Sequence, residues 1–154
     1  HGFSMALGMA VSSKINQKMF RCYAMLSDGE CNEGSIWEAA LLAPTLKLHN
    51  LTVIIDFNKW QATGRSEEIM SLQPLNLKWE AFGWHVQEIN GHNFNEMEEA
   101  FNNARKIKNK PSVIIANTIK GKGVSFMEDD NNWHYRIPNS EELKLALEEL
   151  GSAL

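Results

Sequence analysis

Nothing in the 154 residues approaches the ~20 consecutive apolar positions that a membrane-spanning helix requires, and no charged stretch followed by an apolar one opens the chain. A soluble, cytoplasmic protein is expected. Cysteine is scarce: Cys22 and Cys31 lie in an apolar run and a polar turn, without the paired spacing of a zinc site, so reduced thiols are expected. No block of Lys or Arg stands out, and a formal charge of −4 with a pI near 5.7 lacks the footprint of a phosphate-backbone binder. Neither nucleic acid nor a membrane is an expected partner. Two nucleotide-binding signatures are missing as well. Gly121-Lys122-Gly123 does not extend to Gly-x4-Gly-Lys-Ser/Thr, and no Gly-x-Gly-x-x-Gly follows an apolar run. There is no internal repeat and no low-complexity tract.

What the chain does have is a core: 44% of its residues are apolar, and its length suits one domain spanning residues 1–154. Residues 1–18 read as a buried helix, with Gly2, Met5, Ala6, Met9, Ala10 and Val11 at helical spacing and glycines that admit a close backbone. It begins abruptly at His1 with no strand before it, so an N-terminal portion is expected to be missing. Residues 20–26 form an apolar run that ends in the turn Ser27-Asp28-Gly29. A helix follows over 35–49, with Trp37, Ala40, Leu41, Leu46 and Leu48 as its inward stripe. The run 51–57 is apolar almost throughout, which argues for burial on both faces and hence a parallel sheet.

A polar loop over 58–74, a short helix over 77–82, a strand over 84–89, a helix over 96–106 and a strand over 112–118 come next. Strands alternating with helices predict an α/β fold with a doubly wound, mostly parallel sheet. The last part is a long loop over 119–138, then a helix over 141–154 with Ser140 as its expected N-cap.

Ligands of open α/β sheets collect beyond the carboxyl ends of the strands, which here means 27–34, 58–64 and 120–134. Asp28 and Asn58 each follow a strand, so both side chains converge at one edge. A carboxylate, an amide oxygen and backbone carbonyls suit Mg²⁺ or Ca²⁺, and a diphosphate supplies the oxygens that Mg²⁺ still needs. Gly29 permits close approach, and free N–H groups near Gly34 face an anion. By composition alone, however, Asp28-Gly29 and Asn58-Lys59 are equally good surface turns.

A resemblance sharpens the choice. Ser27-Asp28-Gly29-Glu30, Asn32-Glu33-Gly34, Trp37-Glu38-Ala39-Ala40 and Asp56-Phe57-Asn58-Lys59 together resemble the thiamine diphosphate signature of transketolases, with Ser27 where the family has Gly. His1-Gly2-Phe3-Ser4 through Gly8-Met9-Ala10, and Lys120 through Glu128, are similar to further family segments, so the likeness covers nearly the whole chain.

The resemblance implies the thiamine diphosphate-binding fold and several roles. Asp28, Asn58 and the carbonyl of Trp60 become ligands of the Mg²⁺ (or Ca²⁺) that holds the diphosphate. Gly29 and Glu30 lie in the cofactor-binding turn, with the Gly29 N–H against the diphosphate. Glu33 and Glu38 match acidic positions of a proton relay at the dimer interface; without the resemblance they read as a solvated first helical turn. His134 matches a histidine that reaches the diphosphate and the reactive end of the cofactor, although Tyr135 stands where many relatives have Gly. His49, His85 and His92 read as structural.

The implied reaction moves a two-carbon ketol unit from a ketose to an aldose, on sugar phosphate substrates. The glutamate that activates the cofactor belongs to a domain not found here, and the end of the chain matches the end of the first chain in split transketolases. A carboxyl-terminal transketolase subunit is therefore an expected partner, in a dimer or heterotetramer. The alternatives are a deoxyxylulose phosphate synthase, a thiamine-dependent dehydrogenase subunit or a non-catalytic structural subunit.

Overall fold

The structure is a computed structural model and describes residues 1–151. In chain order the helices are α1 (Gly2–Ile15), α2 (Gly34–Thr45), α3 (Ser66–Met70), α4 (Leu75–Ala81), α5 (Phe94–Lys106) and α6 (Ser140–Glu149). The strands are β1 (Cys22–Ser27), β2 (Leu51–Phe57), β3 (Trp60–Gln61), β4 (Gly64–Arg65), β5 (His85–Asn90) and β6 (Ser112–Asn117). Strands β1, β2, β6 and β5 form one sheet in that order, every pairing parallel, while β3 and β4 make a small antiparallel hairpin. The expected parallel α/β sheet is present.

Residue alternation divides the two faces. Cys22, Ala24 and Leu26 of β1, Val53 and Ile55 of β2, and Val113 and Ile115 of β6 share one buried cluster with α1, α2 and α4. On the other face α5 buries Ala100 and Ala104, and Phe101 meets Tyr23 edge-on. Trp79 and Trp84 anchor the first face, their rings edge to face at 4.8 Å, with Phe3 about 6 Å from both.

Pro44 shows how a local rule shapes this core. It lies inside α2 and has no N–H to give to the Ala40 carbonyl, and the buried indole N–H of Trp84 donates to that carbonyl instead, at 2.8 Å.

Several expectations are corrected. α1 is buried along one stripe only: Phe3, Ala6, Leu7, Ala10 and Ser13 face inward, whereas Met5 and Met9 are exposed, and no backbone closely approaches Gly2 or Gly8. The inward residues of α2 are Ile36, Ala39, Ala40 and Ala43, and Leu41 points outward. That helix stops at Thr45 because Lys47 takes a positive φ, and the Leu48 N–H turns back to the Ala43 carbonyl. The polar stretch 58–74 holds the hairpin and α3. Asn139, not Ser140, caps α6: its side chain accepts two backbone N–H groups and Glu142 returns the bond in a capping box. The expected helix over 141–154 ends at Glu149, and residues 152–154 of that expectation lie outside the described residues.

Candidate cofactor and metal site

Parallel pairing brings the ends of β1 and β2 level, with Ser27 opposite Asp56. Asp28 follows at once, its N–H donating to the Asp56 carbonyl at 3.3 Å. Its side chain is fully buried. The carboxylate accepts the Gly29 N–H at 2.9 Å through Oδ1 and the Ser66 hydroxyl at 2.8 Å through Oδ2, and the Lys59 N–H also donates to it. The Asp28 turn and the turn that follows Asn58 therefore lie side by side at the sheet edge.

Burial, and then the charge of Asp56, pushes the Asp28 carboxyl above its ordinary range, although the three hydrogen bonds oppose the shift. No Lys or Arg pairs with it among the described residues. A buried carboxylate surrounded only by neutral donors and a second acid lacks the positive charge that would offset its desolvation.

Asn58 is half-buried. Its Oδ1 accepts the Trp60 N–H at 2.9 Å and its Nδ2 faces Asp56 Oδ2 at 3.4 Å, while Thr118 donates its hydroxyl to the other Asp56 oxygen. Lys59 adopts a positive φ, which turns the chain back into the hairpin. At Gly29 a Cβ would lie 3.3 Å from Gln61 Cγ, and the Gln61 Nε2 is a buried donor without a partner. The donor set of carboxylate, amide oxygen and backbone carbonyl fits a hard divalent cation, and an unpartnered donor beside a glycine turn fits an anion next to it. Among the described residues no three His, Cys, Asp or Glu side chains group as metal ligands, so this set depends on oxygens of other kinds.

The other expected residues are more scattered. Glu30 lies in the 3-10 turn Gly29–Asn32, its N–H bonded to the Ser27 hydroxyl. Glu33 occupies the N-cap position of α2 without a side-chain cap, and Glu38 belongs to its second turn, not its first. Both are exposed and form no side-chain hydrogen bond or ion pair among the described residues. His134 is exposed in a second 3-10 turn, Asn131–His134, with Lys120 Nζ at 3.5 Å from its Nδ1 and the Tyr135 ring edge-on at 4.6 Å. No hydrogen bond joins it to Asp28 or Asn58. His92 does pin the start of this loop, accepting the Ile119 N–H at 2.7 Å.

Three contributors were not expected. Ser66 orients Asp28, Asp56 braces Asn58, and Asp129 ties the hairpin to residues 119–138 through Trp60 and Arg65. Cys31, packed beside Asp28, has its thiol pushed up to about 12 by burial and by the charges of Asp28 and Glu30, so it is unreactive near neutrality.

The family described as "Transketolase, thiamine diphosphate binding domain" matches residues 4–153. The chain belongs to that family. One subunit of the apulose-4-phosphate transketolase of Phocaeicola vulgatus is 40% identical over 154 residues, which are 100% of this chain and 55% of the relative. A 6-deoxy-6-sulfo-D-fructose transketolase subunit of Clostridium sp. is 45% identical over 149 residues, covering 97% of this chain and 54% of its own length. The chain thus spans about half the length of these curated relatives. Among solved structures, transketolase from Campylobacter jejuni superposes with a TM-score of 0.93 at 31% identity, over 98% of this chain and 25% of that one. The thiamine diphosphate-binding fold of transketolases is therefore the fold of this chain. No helix among the described residues is long and apolar enough to cross a membrane.

Proposed function

We propose that this chain holds the diphosphate and metal of thiamine diphosphate in a split, cytoplasmic transketolase that moves a two-carbon ketol unit from a ketose to an aldose. The observation that carries the reading is the fully buried Asp28 carboxylate, with no Lys or Arg partner among the described residues, beside the Asn58 turn. When bound, thiamine diphosphate supplies the electron sink for breaking and forming the carbon–carbon bond.

The residues of this chain bind and orient. Asp28, Asn58 and the Trp60 carbonyl hold Mg²⁺ (or Ca²⁺), Gly29 and Glu30 form the turn against the diphosphate, and His134 donates to phosphate and transfers a proton. Glu33 and Glu38 relay protons across a subunit interface. The free, buried thiols of Cys22 and Cys31 suit a reducing compartment.

Two relatives are named as subunits of transketolases for a sugar phosphate and a sulfo-sugar. Those names support a separate carboxyl-terminal subunit in a dimer or heterotetramer, and sugar substrates with an anionic end. The second reading is a non-catalytic subunit, favoured by the exposure of His134 under Tyr135. A donor-consumption assay tests the proposal. The 154-residue chain saturated with cofactor and Mg²⁺ shows no ketol transfer by itself, because a cofactor anchored only by its diphosphate leaves its reactive ring in water. An amino-terminal transketolase subunit mixed with its carboxyl-terminal partner should transfer. Transfer by this chain alone would refute the two-chain reading.

A further inference from the structure

The loop over 119–138 carries His134, yet its attachment to the metal turn is made by another residue. Asp129 Oδ1 accepts the Trp60 indole N–H at 2.8 Å and Arg65 Nη1 at 2.7 Å, and its Oδ2 accepts Arg65 Nη2 at 2.5 Å. The Arg65 guanidinium also stacks on the Trp60 ring, 3.7 Å from its centroid. Two residues on, Asn131 donates to the Ala62 carbonyl at 3.2 Å. Every one of these partners belongs to the hairpin that begins just after Asn58.

Exposed ion pairs usually contribute little, but a bidentate pair joined by a third donor and a stacked ring is a network and not an isolated contact. The Asp129 backbone takes a positive φ and donates its N–H to the Lys120 carbonyl at 2.9 Å. The loop behind it is self-packed: a Cβ on Gly121 would collide with the Met127 carbonyl, and Trp133 donates to the Phe126 carbonyl at 2.9 Å. These contacts link Asp129 to Lys120 through the backbone and Lys120 to His134 through the side chains, so a pin at Asp129 bears on both.

We infer that Asp129 is a positioning residue: through Arg65 and Trp60 it fastens the loop bearing His134 to the hairpin that follows Asn58 and carries the Trp60 carbonyl, and so presents His134 to the diphosphate. The inference rests on the cofactor reading of the site. Its test is a double-mutant cycle on the 154-residue chain, with thiamine diphosphate affinity measured by calorimetry at saturating Mg²⁺. Asp129→Asn keeps the size and one acceptor but removes the charge that holds Arg65.

The expected result is a loss of about 10-fold in affinity for Asp129→Asn, the scale of an outer-shell partner, shrinking to less than about 2-fold in the His134→Ala background. Hydrogen exchange over 119–138 should also quicken in Asp129→Asn. Equal losses in both backgrounds, or none, would overturn the role, and so would unchanged exchange. A wild-type chain that takes up no cofactor would instead remove the site reading, and this role with it.

Discussion

Asp28 is costly to keep charged. Burial first, and Asp56 as well, raises its carboxyl above the ordinary range, so folding penalises the ionised form relative to the unfolded chain. A raised carboxyl contributes stability that is present below its ordinary value of 3.8 and is lost as pH rises through its folded value. In the metal-free chain, Asp28→Asn should therefore gain on the wild type in thermal melts as pH rises from about 4 to about 7, and Mg²⁺ should close the gap. A gap that does not change with pH would mean that the ionised carboxylate is already compensated. His134 carries a different expectation. In the assembled enzyme His134→Ala should keep the fold and lower turnover at least ~100-fold, the lower range for losing a positioned proton-transfer group. Steady-state kinetics decide this, and near-wild-type turnover would leave His134 an exposed loop residue.

At the scale of elements, the sheet was the most legible part. The run over 51–57 is apolar because β2 is covered on both faces and paired on both edges, so its sequence carries its environment. The helices were legible in position but less so in facing: α1 and α2 are apolar almost all round, so periodicity could not separate Met5, Met9 and Leu41 from the inward stripes. The two long loops were opaque for another reason. Their order comes from contacts far apart in sequence, with Ser66 meeting Asp28 across 38 positions and Arg65 meeting Asp129 across 64. No local pattern announces such contacts. The aromatic group beneath the sheet yields a prediction of its own. Trp79 is fully buried against Phe3, Trp37 and Trp84, so Trp79→Ala should cost about 3–5 kcal/mol in chemical denaturation, because the cavity it leaves cannot be refilled by rings already in contact. A loss below about 1 kcal/mol would mean that the group repacks freely.

Across the whole molecule, charge is distributed unevenly in a way the linear sequence conceals. Residues 12–22, 45–51 and 103–111 contain eight of the fifteen Lys and Arg residues and none of the nineteen Asp and Glu residues. The sheet gathers those segments at the edge where β1, β2 and β6 begin. Asp28 and Asp56 stand at the opposite edge, at the site itself. Two carboxylates at the site, with eight of the fifteen Lys and Arg residues in the far-edge segments, make a bound cation a direct source of attraction for a polyanion there. The most direct measurement is thus a calorimetric titration of thiamine diphosphate into the chain, with Mg²⁺ and with a chelator, in the wild type, Asp28→Ala and Asn58→Ala. Uptake by the wild type only when Mg²⁺ is present, and by neither variant, is the predicted result. Equal uptake with chelator, or unchanged affinity in both variants, would contradict the assignment of the metal site.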